Sequence, residues 1–156
     1  MNKIDKLLSD AMNAEIKAKE FYQEAASKAQ SQAGKKLFGE LANFEQNHYE
    51  RIKKIVQSRK EGVKVERPGS VKKIPQVKPE LEGEFEPNKD EIVDIINLAI
   101  EAEKNAQTRY MKISDMFDDA EEKAIFSNLA EEERKHQRIL EDEFYHMSNE
   151  GAIIWE

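Results

Sequence analysis

The chain is written twice. Glu45 with His48 and Glu133 with His136 form two Glu-x-x-His pairs, and each lies thirty residues after a further glutamate, Glu15 or Glu103. The halves are offset by 88 residues, and the same offset matches Tyr22 with Tyr110, Phe38 with Phe126, Leu41 with Leu129 and Ala42 with Ala130. Residues three apart share a face in a helix but oppose each other in a strand. The repeat therefore calls for two helical hairpins whose inner faces carry the six residues.

Apolar spacing of three and four supports this along the chain. It runs through Leu8, Ala11, Ala18 and Tyr22, then Leu37, Phe38, Leu41 and Ile52, resumes at Ile92, Ile96, Ala99 and Tyr110, and ends through Phe126, Leu129, Leu140 and Met147. Helices are expected over about 2–30, 34–60, 89–117 and 119–148, each about 40 Å long. Ser31 to Gly34 reads as a short turn, Asn88 with Glu91 as an N-terminal capping box, and Asp118 and Asp119 as the start of the last helix. All four prolines fall in the link 61–88, which no long helix survives. Its Val63, Val65, Val71, Ile74, Val77, Leu81 and Phe85 are expected to lie extended along the helices. The fold class is all-α: an antiparallel four-helix bundle, two hairpins joined by a long crossover, in a single domain over 1–156.

The 156 residues carry a net charge of -7 and no cysteine. An acidic chain is a poor nucleic-acid binder, and the lack of thiols removes disulfides, iron-sulfur clusters and thiolate zinc sites. No apolar run has membrane-spanning length, and residues 1–10 lack the layout of a secretory signal, so a soluble cytoplasmic protein is expected.

Glu15, Glu45, His48, Glu103, Glu133 and His136 all fall on the apolar stripes. Four buried carboxylates would repel one another and lose their hydration. Two divalent cations remove that cost. Glu45 and Glu133 are expected to bridge them, with Glu15 and His48 completing one end and Glu103 and His136 the other. Oxygen and imidazole donors suit iron or manganese, and zinc would also bind. Tyr22 and Tyr110, two turns after Glu15 and Glu103, are placed to hydrogen-bond a carboxylate of the opposite hairpin or to supply an electron; each also reads as an ordinary core tyrosine. The third histidine reads as a surface pair of His146 with Glu143. The charge run Glu131 to Arg134 reads as a solvated face with only Glu133 turned inward.

With Glu15 to Tyr22, Glu45-Gln46-Asn47-His48, Glu103 to Tyr110 and Glu133-Arg134-Lys135-His136, the sequence resembles the ferritin-like di-iron carboxylate superfamily, and within it the rubrerythrin-like proteins. The resemblance covers nearly the whole chain apart from the crossover. It implies a ferritin-like bundle, two iron ions, peroxide or dioxygen as the oxidant, and a homodimer or larger homo-oligomer. Rubrerythrins proper also carry a four-cysteine rubredoxin-like domain that delivers electrons, so here an external donor protein such as a rubredoxin is implied. They place another glutamate on the third helix, where this chain has Ala106. Three functions stay open: peroxide reduction, ferroxidase and iron storage of the ferritin or bacterioferritin type, and a bundle whose metal only stabilises it. Storage ranks second, because ferritin cages usually add a fifth helix and only Ser148 to Glu156 follow the bundle. Ala152, Ile153, Ile154 and Trp155 are expected to pack on the bundle end or on a neighbouring subunit.

Overall fold

The computed structural model describes residues 2–62 and 83–155. Four helices dominate: α1 (Lys3–Lys28), α2 (Gln32–Glu61), α3 (Lys89–Met116) and α4 (Ala120–Glu150). Their apolar faces close into two core clusters, one on either side of the six-residue layer. Tyr22, Phe38, Ile96 and Leu140 belong to the first and Leu8, Ile52, Tyr110 and Phe126 to the second. Among the described residues, no helix is long and apolar enough to cross a membrane.

Local chemistry sets the helix ends. Asn2, Ser31 and Asp119 cap α1, α2 and α4, each side chain accepting from a backbone N–H three residues on. Gly62 and Gly151 end α2 and α4 in the left-handed conformation that glycine adopts freely. The expected turn at Ser31 to Gly34 is shorter than read from the sequence, since α2 already begins at Gln32. Gly34 sits inside the helix at a point with no room for a side chain: an added Cβ would lie 2.8 Å from Ser31 Oγ and 2.9 Å from Glu86 Oε1. The capping box at Asn88 does not form. The side chain makes no capping bond and donates instead to Lys28 O at 3.0 Å, tying the start of α3 to the end of α1.

That contact also fixes the topology. The end of α2 lies beside the start of α1, where Arg59 Nε meets Asp5 Oδ1 at 3.1 Å, so residues 62 and 83 sit at opposite ends of the bundle. Residues 63–82, including Val63, Val65, Val71, Ile74, Val77 and Leu81, lie outside the described residues, while Phe85 is exposed and not packed along the helices. This is the ferritin-like all-α four-helix bundle.

Periodicity gave no hint of a two-stranded antiparallel latch. β1 (Glu84–Phe85) pairs with β2 (Ala152–Ile153), with Glu84 opposite Ile153 and Phe85 opposite Ala152. Glu86 accepts from the backbone of Gln30, Ser31 and Asn88, and Glu84 accepts from Gln32 N and Ala33 N at the start of α2. Ile153, Ile154 and Trp155 are buried at the bundle end, where Trp155 Nε1 donates to Glu40 Oε2 at 2.7 Å.

Candidate metal centre

Each helix delivers its part through its own register. Glu15 comes from α1, Glu45 and His48 from successive turns of α2, Glu103 from α3, and Glu133 and His136 from α4. All six are buried, none more than 2% exposed. Glu15, Glu45, His48 and Glu133 form one group of donors and Glu45, Glu103, Glu133 and His136 a second, the donor atoms within each group lying within 4.8 Å of one another. Glu45 and Glu133 are common to both.

The imidazoles turn Nδ1 to the centre. His48 Nδ1 stands 3.0 Å from Glu133 Oε1 and 3.7 Å from Glu15 Oε2, and His136 Nδ1 stands 3.2 Å from Glu45 Oε1 and 3.6 Å from Glu103 Oε2. Glu15 Oε2, Glu45 Oε1, Glu103 Oε2, Glu133 Oε1 and both Nδ1 atoms have no hydrogen-bond partner. Buried polar atoms are otherwise almost always paired. Six unsatisfied donors converging from four helices, with two carboxylates shared, fit a pair of divalent cations. The donor set of oxygen and imidazole suits iron or manganese, and zinc would also bind.

Protonation shows the same tension. Burial pushes Glu45 well above the ordinary carboxylate value, reinforced by Glu133, Glu15 and Glu103. Burial and then Glu133 push Glu103 up to about 8, against the pull of His136. Burial also acts on Glu133, yet the attraction of His48 and His136 prevails and holds it well below the ordinary value. In both imidazoles burial favours the neutral ring, but the surrounding carboxylates outweigh it and raise the pKa.

The tyrosines reach across the hairpins. Tyr22 donates to Glu103 Oε1 at 2.6 Å, and Tyr110 donates to Glu15 Oε1. These crossed contacts require α1 and α3 to run antiparallel. Each leaves the other carboxylate oxygen, Oε2, facing the donors. Both hydroxyls are held well above the ordinary phenol pKa, by burial first and then by those carboxylates.

Glu132 departs from the sequence reading, which turned only Glu133 inward. It accepts from His48 Nε2 at 3.2 Å and from Arg51 Nη1 at 2.9 Å, so that His48 is gripped from behind. The repeat held the signal: position 132 corresponds to Phe44, which is buried. Phe44 in turn packs its ring 5.3 Å from that of His136, whose Nε2 has no partner. The expected pair of Glu143 with His146 is also corrected. Glu143 is fully buried and accepts from Ile154 N at 3.2 Å, while His146 turns out to Glu150 at 3.3 Å.

A family model for rubrerythrin matches residues 6–144. The chain belongs to the rubrerythrin family. Rubrerythrins are ferritin-like di-iron proteins, and the matched span includes all six donors and both tyrosines. A solved structure of a hypothetical protein from Pyrococcus furiosus is similar, with a TM-score of 0.74 at 31% identity over 94% of this chain and 91% of that one. No curated protein matches at a significant level. Against the rubrerythrin pattern, Ala106 leaves α3 with one carboxylate in the donor set.

Proposed function

We propose that this chain is a di-iron redox protein that reduces hydrogen peroxide, with electrons from a separate donor protein such as a rubredoxin. The observation that carries the reading is the pair of donor groups sharing Glu45 and Glu133, with every inward-facing donor atom unpartnered. Iron, when bound, supplies two adjacent one-electron couples, which suits a two-electron oxidant; manganese or zinc would compete for the same donors.

The residues divide the work. Glu45 and Glu133, common to both donor groups, would hold both ions, Glu15 with His48 would complete one end, and Glu103 with His136 would complete the other. Tyr22 and Tyr110 fix the outer oxygen of Glu103 and Glu15, so that Oε2 is aimed inward without a search over rotamers. The packed layers above and below, with Phe38 and Phe126 fully buried, close the centre along the bundle axis. We place the protein in the cytoplasm as a homodimer or small homo-oligomer, a state that size-exclusion chromatography separates from a ferritin cage.

Anaerobic mixing of the diferrous protein with peroxide and, separately, with dioxygen tests the reading. Faster oxidation by peroxide is expected. Faster oxidation by dioxygen would replace it with a ferroxidase. Glu45→Ala and Glu133→Ala are expected to lose both ions and turnover together; full activity in either variant would overturn the assignment, and tight metal without turnover in the parent would leave a metal-stabilised bundle.

A further inference from the structure

The donors are closed on the histidine side and open on the other. Behind His48 stand Glu132 and Arg51, and behind His136 stands Phe44. Between α1 and α3, by contrast, a cavity of about 350 Å³ reaches Glu15, Glu45, Glu103, Glu133 and Tyr22, and neither imidazole lines it. The four carboxylates are at least 98% buried, and each presents to the centre an oxygen without a partner.

The size of this cavity decides what it can take. Hydrogen peroxide has two oxygens and needs roughly 60 Å³, twice the share of one water in the liquid. The cavity is several times larger and falls in the range of small-molecule sites, roughly 300 to 1,000 Å³. Its walls are mostly apolar, and it opens to solvent past Ala102 and Leu98, both exposed. Ala14 and Ala18 of α1 face Ala102 and Ala106 of α3, and these pairs match under the 88-residue offset. Side chains longer than a methyl group at these positions would fill the gap. Phe21 and Leu98 extend the wall outward, and Lys17, Asn105 and Arg109 belong to its polar lining. Polar atoms at the floor under an apolar collar match a molecule with a small polar head and a compact hydrocarbon body.

We propose that this cavity is a binding site for an organic hydroperoxide, its –OOH head against the carboxylate floor and its hydrocarbon body against the alanine collar. The inference rests on the reading of the centre as a peroxide-reducing site and names its substrate class. The reaction balances as ROOH + 2 H⁺ + 2 e⁻ → ROH + H₂O. The O–O bond breaks, one oxygen leaves as water and the other as the alcohol. The protons come from solvent, and the two electrons would be supplied, through the ions that the six donors would hold, by a one-electron donor protein acting twice. The chain's part is to seat the body and aim the head.

Cumene hydroperoxide and its alcohol product, 2-phenyl-2-propanol, test this with two readouts. In the zinc-loaded protein the alcohol is expected to shift the methyl resonances of Ala14, Ala18, Ala102 and Ala106, and Ala102→Phe is expected to abolish those shifts while leaving the rest of the spectrum folded. Absence of shifts in the parent overturns the proposal. In the diferrous protein cumene hydroperoxide is expected to be consumed, and Ala102→Phe is expected to lower its rate relative to that of hydrogen peroxide by about tenfold or more, the scale at which a pocket discriminates by shape. Reaction with hydrogen peroxide alone overturns the substrate class but spares the parent reading. Reaction with neither oxidant overturns the parent reading and this one with it. An equal slowing of both oxidants by Ala102→Phe shows a shared entrance and overturns the seat.

Discussion

Helices α2 and α4 carry the same Glu-x-x-His pair at an offset of 88 residues, yet behind the two imidazoles they are built differently. His48 donates through Nε2 to Glu132, itself held by Arg51. The equivalents of that pair in the other half are Phe44 and Ile139, both buried, and His136 Nε2 meets no acceptor. From behind, one ring is fixed by charge and the other by packing. Further along, α4 buries Glu143 where α2 buries Ile55. The donors have stayed the same through the duplication while their supports have diverged, which makes the two ends of the centre chemically unequal.

The sharpest way to break that comparison is Glu132→Ala. It removes the charged partner of the Arg51 guanidinium, only 9% exposed and left with Asn47 Oδ1 at 3.4 Å, and is expected to cost about 3 kcal/mol of stability by chemical denaturation. It should also weaken the ion at the His48 end by about 10- to 100-fold, the usual scale for loss of an outer partner of a metal-binding histidine. Metal titration is expected to show one strong and one weak site. Equal weakening of both would show that the ends are not independent.

Glu143 gives the next effect, which appears only as pH rises. Burial is the main cause that pushes its carboxyl up to about 8 from an ordinary 4.5. Between those values the folded chain keeps a proton that the unfolded chain has lost, so stability falls as pH rises through the window and is flat on either side. Glu143→Gln cannot ionise and its carbonyl still accepts from Ile154 N. It is expected to match the parent near pH 4 and to exceed it by about 4 kcal/mol near pH 9. Thermal melts across that range check it, and parallel curves for the two proteins would show that Glu143 titrates normally.

Tyr22→Phe and Tyr110→Phe probe what is alike in the halves. Each removes one hydrogen bond to a buried carboxylate and is expected to cost about 1 to 2 kcal/mol, with matching losses measured in urea. The smallest effect belongs to Phe44→Leu, about 1 kcal/mol from reduced packing on His136, with metal affinity at that end lowered less than Glu132→Ala lowers it at the other.

The inner layer was legible because period and repeat speak about the same positions. Glu15, Glu45, His48, Glu103, Glu133 and His136 sit on apolar stripes, and the structure brings all six together. Glu132 and Glu143 depart from the sequence expectation for one reason: a charged residue on a helix is ordinarily a solvated one. Their repeat partners Phe44 and Ile55 are apolar and buried, so the register already said that both carboxylates turn inward and need partners. The latch was illegible for another reason. Two-residue strands have too few positions to show alternation, and the pairing of Glu84 with Ile153 depends on where the assembled helices leave the two segments.

That latch also has a place in time. Each hairpin forms from contacts close in sequence, which is fast, whereas joining β1 to β2 closes a loop around the whole of α3 and α4 and comes late. The chain's single tryptophan, Trp155, sits in this closure with its indole on Glu40. Its fluorescence therefore clocks the final docking of the folding chain, after the circular-dichroism signal of the helices has already appeared.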